Sequence, residues 1–253
     1  MSTPLDLARL NQQTSWQTNQ MIARTRPVIA IDGPVGAGKS TVARELAREL
    51  GFTYLNTGAM YRAVAVAARD QGIAPDDPAL ESSLKPLLDS IVIRFEGERV
   101  VLGGRDITQM VGAPEVGDLA SRLSTLAPVR AKMRELQRAA GCEGGVVMEG
   151  RDIGTAVFPD AEFKFFLTAA INVRAERRYR ELLAKGLATR QAEVLAQLRE
   201  RDRRDAGREL APLRPADDAI VIDSSALNIE QVVRAMRMRI ETNARGFKGL
   251  KRV

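Results

Sequence analysis

Short unbroken apolar runs alternate along the chain with longer stretches in which apolar residues return every three or four positions. Residues 28–31, Val-Ile-Ala-Ile, predict a strand buried on both faces. A glycine-rich loop follows at 33–38. Residues 39–50 then place Val42, Leu46 and Leu50 on one helical face, with Gly51 as the stop. A second helix is predicted over 59–70. Residues 91–95, a turn at Gly97, residues 100–102 and a turn at Gly103-Gly104 read as antiparallel hairpins. Two helices, 114–125 and 128–140, each open on a proline, whose fixed φ suits a first turn. Further buried strands are predicted at 146–148 and 163–167, Arg-rich helices at 171–185 and 190–203, a last strand at 220–222 and a closing helix at 229–243. Strands alternating with helices in this way imply an α/β fold, a parallel sheet flanked by helices, with the hairpins of 91–106 as an insert.

Residues 1–26 fall outside this pattern. They are polar, show no period beyond Leu5, Leu7 and Leu10, and read as a flexible N-terminal extension; a transit peptide is the weaker alternative. The domain proper is expected over 27–253.

Composition removes whole classes of chemistry. The 253 residues contain no His, so imidazole bases, His-based triads and His-ligated zinc are excluded. The single cysteine, Cys142, rules out an internal disulfide, and its Gly-rich setting predicts an exposed thiol in a turn. No apolar run approaches the roughly 18 residues of a membrane span, and no early apolar segment suggests secretion, so a cytoplasmic protein without a membrane partner is expected. The formal charge is +6, and of 38 basic residues only seven are Lys. That skew favours planar, bidentate capture of phosphate or carboxylate.

The strongest single motif is Gly33-Pro34-Val35-Gly36-Ala37-Gly38-Lys39-Ser40, followed by Thr41. It matches G-x-x-x-x-G-K-[ST] in full, after a predicted strand and before a predicted helix. Backbone N–H groups of such a loop close on phosphate oxygens, and the helix N-terminus adds a favourable dipole. Lys39 is then expected on the β- and γ-phosphates of ATP, and the Ser40 hydroxyl on Mg²⁺. The chain has no Asn-Lys-x-Asp string for guanine, and the strand at 146–148 runs into Glu149-Gly150-Arg151-Asp152 rather than an acidic pair. One acid followed by arginine favours a small-molecule kinase over a helicase.

Four further clusters carry titratable groups. Arg62 lies four residues after Gly58 on a predicted helix, facing the same cleft as Thr57. Arg151-Asp152 ends a strand, where α/β folds bind ligands. Arg201, Asp205 and Arg208 are spaced i, i+4 and i+7, one stripe of a helix, which by spacing alone equally describes a solvated face with ion pairs. Arg174, Arg177 and Arg178 crowd another helix, as a lid or as a plain basic face.

The strings Asn56-Thr-Gly-Ala-Met-Tyr-Arg62, Glu149-Gly-Arg-Asp-Ile-Gly-Thr155 with Phe158-Pro-Asp-Ala161, and Arg201-Asp-Arg-Arg-Asp-Ala-Gly-Arg208 with Ala211-Pro-Leu213 resemble the bacterial cytidylate (CMP/dCMP) kinase family. With the phosphate loop the resemblance runs from about 27 to 236. It implies a P-loop NTPase fold with a monophosphate-binding insert at about 58–112, a helical lid at about 171–190, and transfer of the γ-phosphoryl group of ATP to CMP and dCMP by a monomer. It also implies roles. Lys39, Arg62 and Arg151 are catalytic; Arg62 and Arg151 hold the acceptor's phosphate. Thr57, Arg130, Asp152 and Arg208 face cytosine, Ser121, Arg201 and Asp205 reach the ribose, and Tyr61 joins the acceptor set. Cytosine suits that set: its N4 amino group donates to a carboxylate, and O2 and N3 accept from arginine. Two positions depart from the family, Thr57 in place of the commoner Ser and Asn56 in place of Asp. Competing readings are a kinase for UMP, AMP or shikimate, or a nucleic-acid-binding ATPase. The last is disfavoured by the 4% aromatic content, which leaves no platform for stacking bases.

Overall fold

The computed structural model describes residues 5–6, 24–74, 76–77 and 79–243. The chain divides into two compact units. One comprises residues 24–56 and 143–243 of the described chain, and the other residues 57–142 with Leu5–Asp6.

The first unit is built on five strands: β2 (Val28–Asp32), β3 (Thr53–Asn56), β7 (Val146–Gly150), β8 (Phe163–Thr168) and β9 (Ile220–Asp223). Every pairing is parallel, in the order β3-β7-β2-β8-β9. The central strands β2 and β7 are buried along their whole length, which is why their sequences are continuous apolar runs rather than alternating ones. Helices α1 (Lys39–Leu50), α6 (Ile171–Ala184), α7 (Gln191–Ala206) and α8 (Ile229–Asn243) complete this unit. One core packs Val42 and Leu46 of α1, with Val233, Met236 and Ile240 of α8, on Ile29, Ile31, Val147 and Phe165 of the sheet. Each such side chain contributes about 1.5–3 kcal/mol on burial.

The second unit holds α2 (Thr57–Asp70), α3 (Leu80–Ser90), α4 (Pro114–Leu123) and α5 (Ala127–Gly141). Its antiparallel sheet is formed by β1 (Leu5–Asp6), β4 (Ile93–Glu96), β5 (Arg99–Leu102) and β6 (Arg105–Asp106). Leu5 and Asp6 pair with Phe95 and Arg94. The expected loose N-terminal extension otherwise lies largely outside the described residues; at its end, Arg24 binds Asp160 and Glu162.

The structure corrects several details. Residues 53–56 form a strand and 80–90 a helix, neither of which the pattern predicted, and α2 begins at Thr57 rather than 59. Helix α7 ends at Ala206, capped by Gly207, so Arg208 lies beyond the helix and does not continue its stripe. Cys142 is half-buried rather than exposed, its thiol donating to the Ala139 carbonyl at 3.2 Å. Among the described residues no helix is long and apolar enough to cross a membrane.

Candidate active site

In the parallel-sheet unit the chemistry gathers where β2 and β7 end. Asp32 closes β2, and the loop of 33–38 leads into α1. Gly33, Gly36 and Gly38 all have positive φ, and a Cβ on Gly33 would collide with the backbone oxygen of Leu167. No side chain caps the first amides of α1. The loop is therefore a backbone cradle with free donors, which fits a polyphosphate. Lys39 is buried, its ammonium donating to the Pro34 carbonyl at 2.8 Å across the cradle. Burial, and next the charge of Arg151, lower its pKa to about 7, against the opposing pull of Glu149, Asp32 and Asp205. Ser40, on the first turn of α1, hydrogen-bonds Tyr54, whose hydroxyl donates to Glu149 at 2.6 Å. Burial and the Glu149 charge hold the Tyr54 phenol well above its ordinary range.

Two arginines of α6 brace this cradle from behind. Arg174 is buried and donates to the carbonyls of Ala169 and Val35 and, through two nitrogens, to the Asp202 carboxylate. Arg177 binds the hydroxyl and carbonyl of Ser224, and that hydroxyl lies 3.1 Å from the Ala37 carbonyl. Neither belongs to a plain basic face.

After β7 the chain leaves the sheet with Arg151 and Asp152 and enters a single π-helical turn, Ile153–Val157. Arg151 donates through Nε to Asp205 at 3.0 Å and through Nη1 to the Gly150 carbonyl. Asp205, fully buried, also accepts from Arg208. Burial works against its charge, but Arg151, Arg208 and Arg201 more than offset it and keep its carboxyl below the usual range. Asp152 is buried beside this network. The structure thus brings Arg151, Asp205 and Arg208 into direct contact, whereas Arg201 acts on Asp205 through its charge.

In the sequence Asp32, Tyr54 and Ser224 carry no assigned role, Glu149 counts only as the acid before Arg151, and Arg174 and Arg177 read as a lid or a plain basic face. For Asp32 a signal existed, an acid ending an otherwise apolar strand; Ser224 carried none. The Asp32 carboxylate accepts the N–H groups of Ile153 at 2.9 Å and Gly154 at 2.8 Å. Burial raises its pKa to about 7 despite those bonds; the Asp152 charge adds to the rise and Lys39 opposes it. A folded pKa above the unfolded one means stability is lost as pH rises from about 4 through 7. Asp32→Asn, which carries no charge, is therefore expected to gain on the native protein over that range. Melting temperatures at pH 5 and pH 8 check this: the native protein's lead should shrink or reverse at pH 8, and an unchanged gap would contradict it.

The second unit carries the remaining candidates. Thr57 is buried at the start of α2, with Tyr61 and Arg62 half-buried on the same helix. Arg62 donates to the Val111 carbonyl at 2.9 Å and packs over Gly117, where a Cβ would sit 3.5 Å from the guanidinium. Arg130, on α5, is buried and reaches the Ser124 carbonyl at 3.2 Å, while the Ser124 hydroxyl donates to the Ser121 carbonyl. The Ser121 hydroxyl is itself buried and lacks a hydrogen-bond partner. Left so, a buried hydroxyl costs about 1–3 kcal/mol, a deficit that a polar ligand atom removes.

Comparison with known proteins agrees with this chemistry. The family model described as "Cytidylate kinase" matches residues 29–242. The cytidylate kinase of Geobacter sp. is 48% identical over 225 residues, 88% of this chain and 96% of that protein. That of Carboxydothermus hydrogenoformans is 49% identical over 209 residues, covering 81% and 93%. That of Syntrophotalea carbinolica is 49% identical over 213 residues, covering 83% and 89%. With a phosphate cradle, an arginine–carboxylate network and matches spanning nearly the whole length of its relatives, the chain belongs to the cytidylate kinase family.

Proposed function

We propose that the chain transfers the γ-phosphoryl group of ATP to the phosphate of CMP, with dCMP as a second acceptor. The observation that carries this reading is the approach of Arg151 to Lys39. Two cations, Lys39 at the start of α1 and Arg151 just past the end of β7, interact closely enough for Arg151 to lower the Lys39 pKa. Such crowding is adverse in the free protein and becomes favourable when a transferred phosphoryl group lies between the donor loop and the acceptor.

The attacking atom is an already ionised phosphate oxygen, so no general base is needed, and a chain without His loses nothing. The task is to bring two polyanions together and steady the charge that spreads over the transferred group. Lys39 and the loop amides serve the β- and γ-phosphates of ATP. Ser40 is the residue that would hold Mg²⁺, which when bound neutralises charge between those phosphates. Arg62 and Arg151 take the acceptor's phosphate. Asp152, with Arg208, Arg130 and Thr57, reads the base. Asp152 accepts from the cytosine amino group, and uracil would set an acceptor against this buried carboxylate instead. Ser121, Arg201 and Asp205 take the ribose; the unpartnered Ser121 hydroxyl supports that. Tyr61 lines the same set.

The insert at about 58–112 serves the monophosphate, and closure of the segment at about 171–190 over the nucleotides limits loss of phosphoryl groups to water. Because Arg174 and Arg177 fasten the first half of α6 to the cradle, the moving part is its later half and the turn that follows. A monomer working in the cytoplasm on small nucleotides, without nucleic acid, completes the reading.

The test is ADP release with MgATP and CMP, dCMP, UMP, AMP, GMP or shikimate as acceptor. Turnover with CMP and dCMP well above the others is expected; turnover with AMP or shikimate alone would overturn the acceptor assignment. Arg130→Met should raise KM for CMP by about tenfold or more, the cost of an unmade hydrogen bond to a charged group, and leave KM for ATP near its native value. Unchanged KM and unchanged base preference would remove Arg130 from the base-reading set.

A further inference from the structure

We propose that Asp32 is a positioning residue whose carboxylate sets the orientation of the Arg151–Asp152 turn and so tunes acceptor affinity and base selectivity. The inference rests on the acceptor assignment of Arg151 and Asp152 given above.

The geometry isolates this role. Asp32 pairs with Gly150 in the β2–β7 ladder, the last register position that the sheet fixes. Beyond Gly150 the chain leaves the sheet; the Arg151 side chain is tied to Asp205, and the backbone of the turn that follows is held by the Asp32 side chain. The two oxygens accept two successive N–H groups, from Ile153 and Gly154, in the manner of a helix N-cap supplied by a neighbouring strand. A pair of parallel bonds fixes the rotation of the turn as well as its distance. The far end is pinned separately, since Lys164 binds Asp218 at 2.8 Å and the Pro159 carbonyl. Gly154 lies against this clasp: a Cβ there would sit in ordinary contact, 3.5 Å, with Asp32 Oδ2 and 3.2 Å from Lys164 Cδ, which would have to give by a few tenths of an ångström. Arg151 and Asp152 immediately precede the clasped amides, so a rotation of the turn swings both side chains. Misplacement by about 1 Å at a reacting centre costs up to a hundredfold.

On the donor side the carboxylate acts in two opposing ways: its charge repels a polyphosphate, but it also favours the charged form of Lys39, so its net effect on ATP affinity is small. Its benefit lies with the turn.

The test compares steady-state kinetics of the native enzyme, Asp32→Asn and Gly154→Ala, with Asp152→Asn as the reference for the acceptor assignment. Asp32→Asn keeps the shape but replaces one acceptor with an amide that faces an N–H donor. Gly154→Ala crowds the Lys164 stem beside the clasped turn, a displacement of a few tenths of an ångström, and gives a second, milder test if Asp32→Asn fails to fold. Asp32→Asn is expected to raise KM for CMP at least about tenfold and Gly154→Ala by a smaller factor, both reducing the preference for CMP over UMP, with KM for ATP changing less than KM for CMP. A parallel rise in both KM values, with base preference intact, would reveal a merely structural role and overturn the proposal. If Asp152→Asn raises KM for CMP while the other two variants leave it unchanged, the positioning role fails and the acceptor assignment stands. If Asp152→Asn also leaves it unchanged, the acceptor assignment itself fails, and the proposal with it.

Discussion

Replacing Arg151 with Ala is expected to lower kcat at least about a hundredfold, some 2.7 kcal/mol of barrier, while leaving KM for ATP close to native. The guanidinium both binds the Asp205 carboxylate and presses its charge on Lys39. Its loss removes transition-state charge stabilisation without touching the phosphate loop. It also relieves the repulsion that lowers the Lys39 pKa, so Lys39 becomes more fully protonated and ATP binding does not suffer. The fold should survive, because Asp205 keeps Arg208 as a bonded partner and the nearby charge of Arg201. Arg151→Lys restores a cation without the planar fork and should fall between native and Ala. Single-turnover rates, with a melting curve to confirm folding, decide the matter. A near-normal rate for the Ala variant would remove Arg151 from the catalytic set, and a rise in KM for ATP alone would move it to the donor side.

The parts of the fold that were legible in the sequence are those where one physical constraint dominates a stretch of chain. Strands β2 and β7 are buried on both faces, so each shows as an apolar run. The α1 face of Val42 and Leu46 shows because it meets a flat sheet. The cradle shows because its glycines occupy backbone space that other residues rarely enter. Strand β3 did not show: only Leu55 of its four residues is fully buried, and the rest of the strand borrows stability from β7. Helix α3 was obscured by Pro86 within it, which its three buried leucines override.

The site follows the same division. Local strings mark Lys39, Ser40, Arg151 and Asp152, whereas Asp32 acts on amides more than a hundred residues away, a partnership that no local period encodes. Arg174 illustrates the converse. Spacing on α6 offered a lid or a basic face, and only the Val35 carbonyl and the Asp202 carboxylate reveal it as a brace. Helix α7 shows why spacing misleads at a boundary: Gly207 ends it, and Arg208 returns to Asp205 from outside the helix.

Gly33→Ala is expected to have the largest effect on the protein itself, and comparison with Gly51→Ala isolates why. Both residues have positive φ, +147° at Gly33 and +62° at Gly51. At Gly51, which caps α1, a Cβ meets nothing within 4 Å. The cost there is the backbone term alone, about 1 kcal/mol, or roughly 2–4 °C in melting temperature. At Gly33 the backbone term is about 1–3 kcal/mol, and the added methyl also collides with the Leu167 carbonyl at the end of β8. Neither partner is a flexible side chain that can turn aside, so the loop must lift from the sheet. A loss of at least about 3 kcal/mol follows, roughly 6–12 °C. The functional consequence is separable from the loss of stability. A ligand at a hundred times its Kd stabilises the native state by about 2.7 kcal/mol, so MgATP should raise the native melting temperature by roughly 5–10 °C. Gly51→Ala should retain that shift from its lower baseline, since the loop amides are undisturbed. Gly33→Ala should lose it, because a lifted loop no longer directs those amides at the phosphates. If Gly33→Ala melts with Gly51→Ala and keeps the MgATP shift, the close approach of the loop to β8 is not what shapes the cradle.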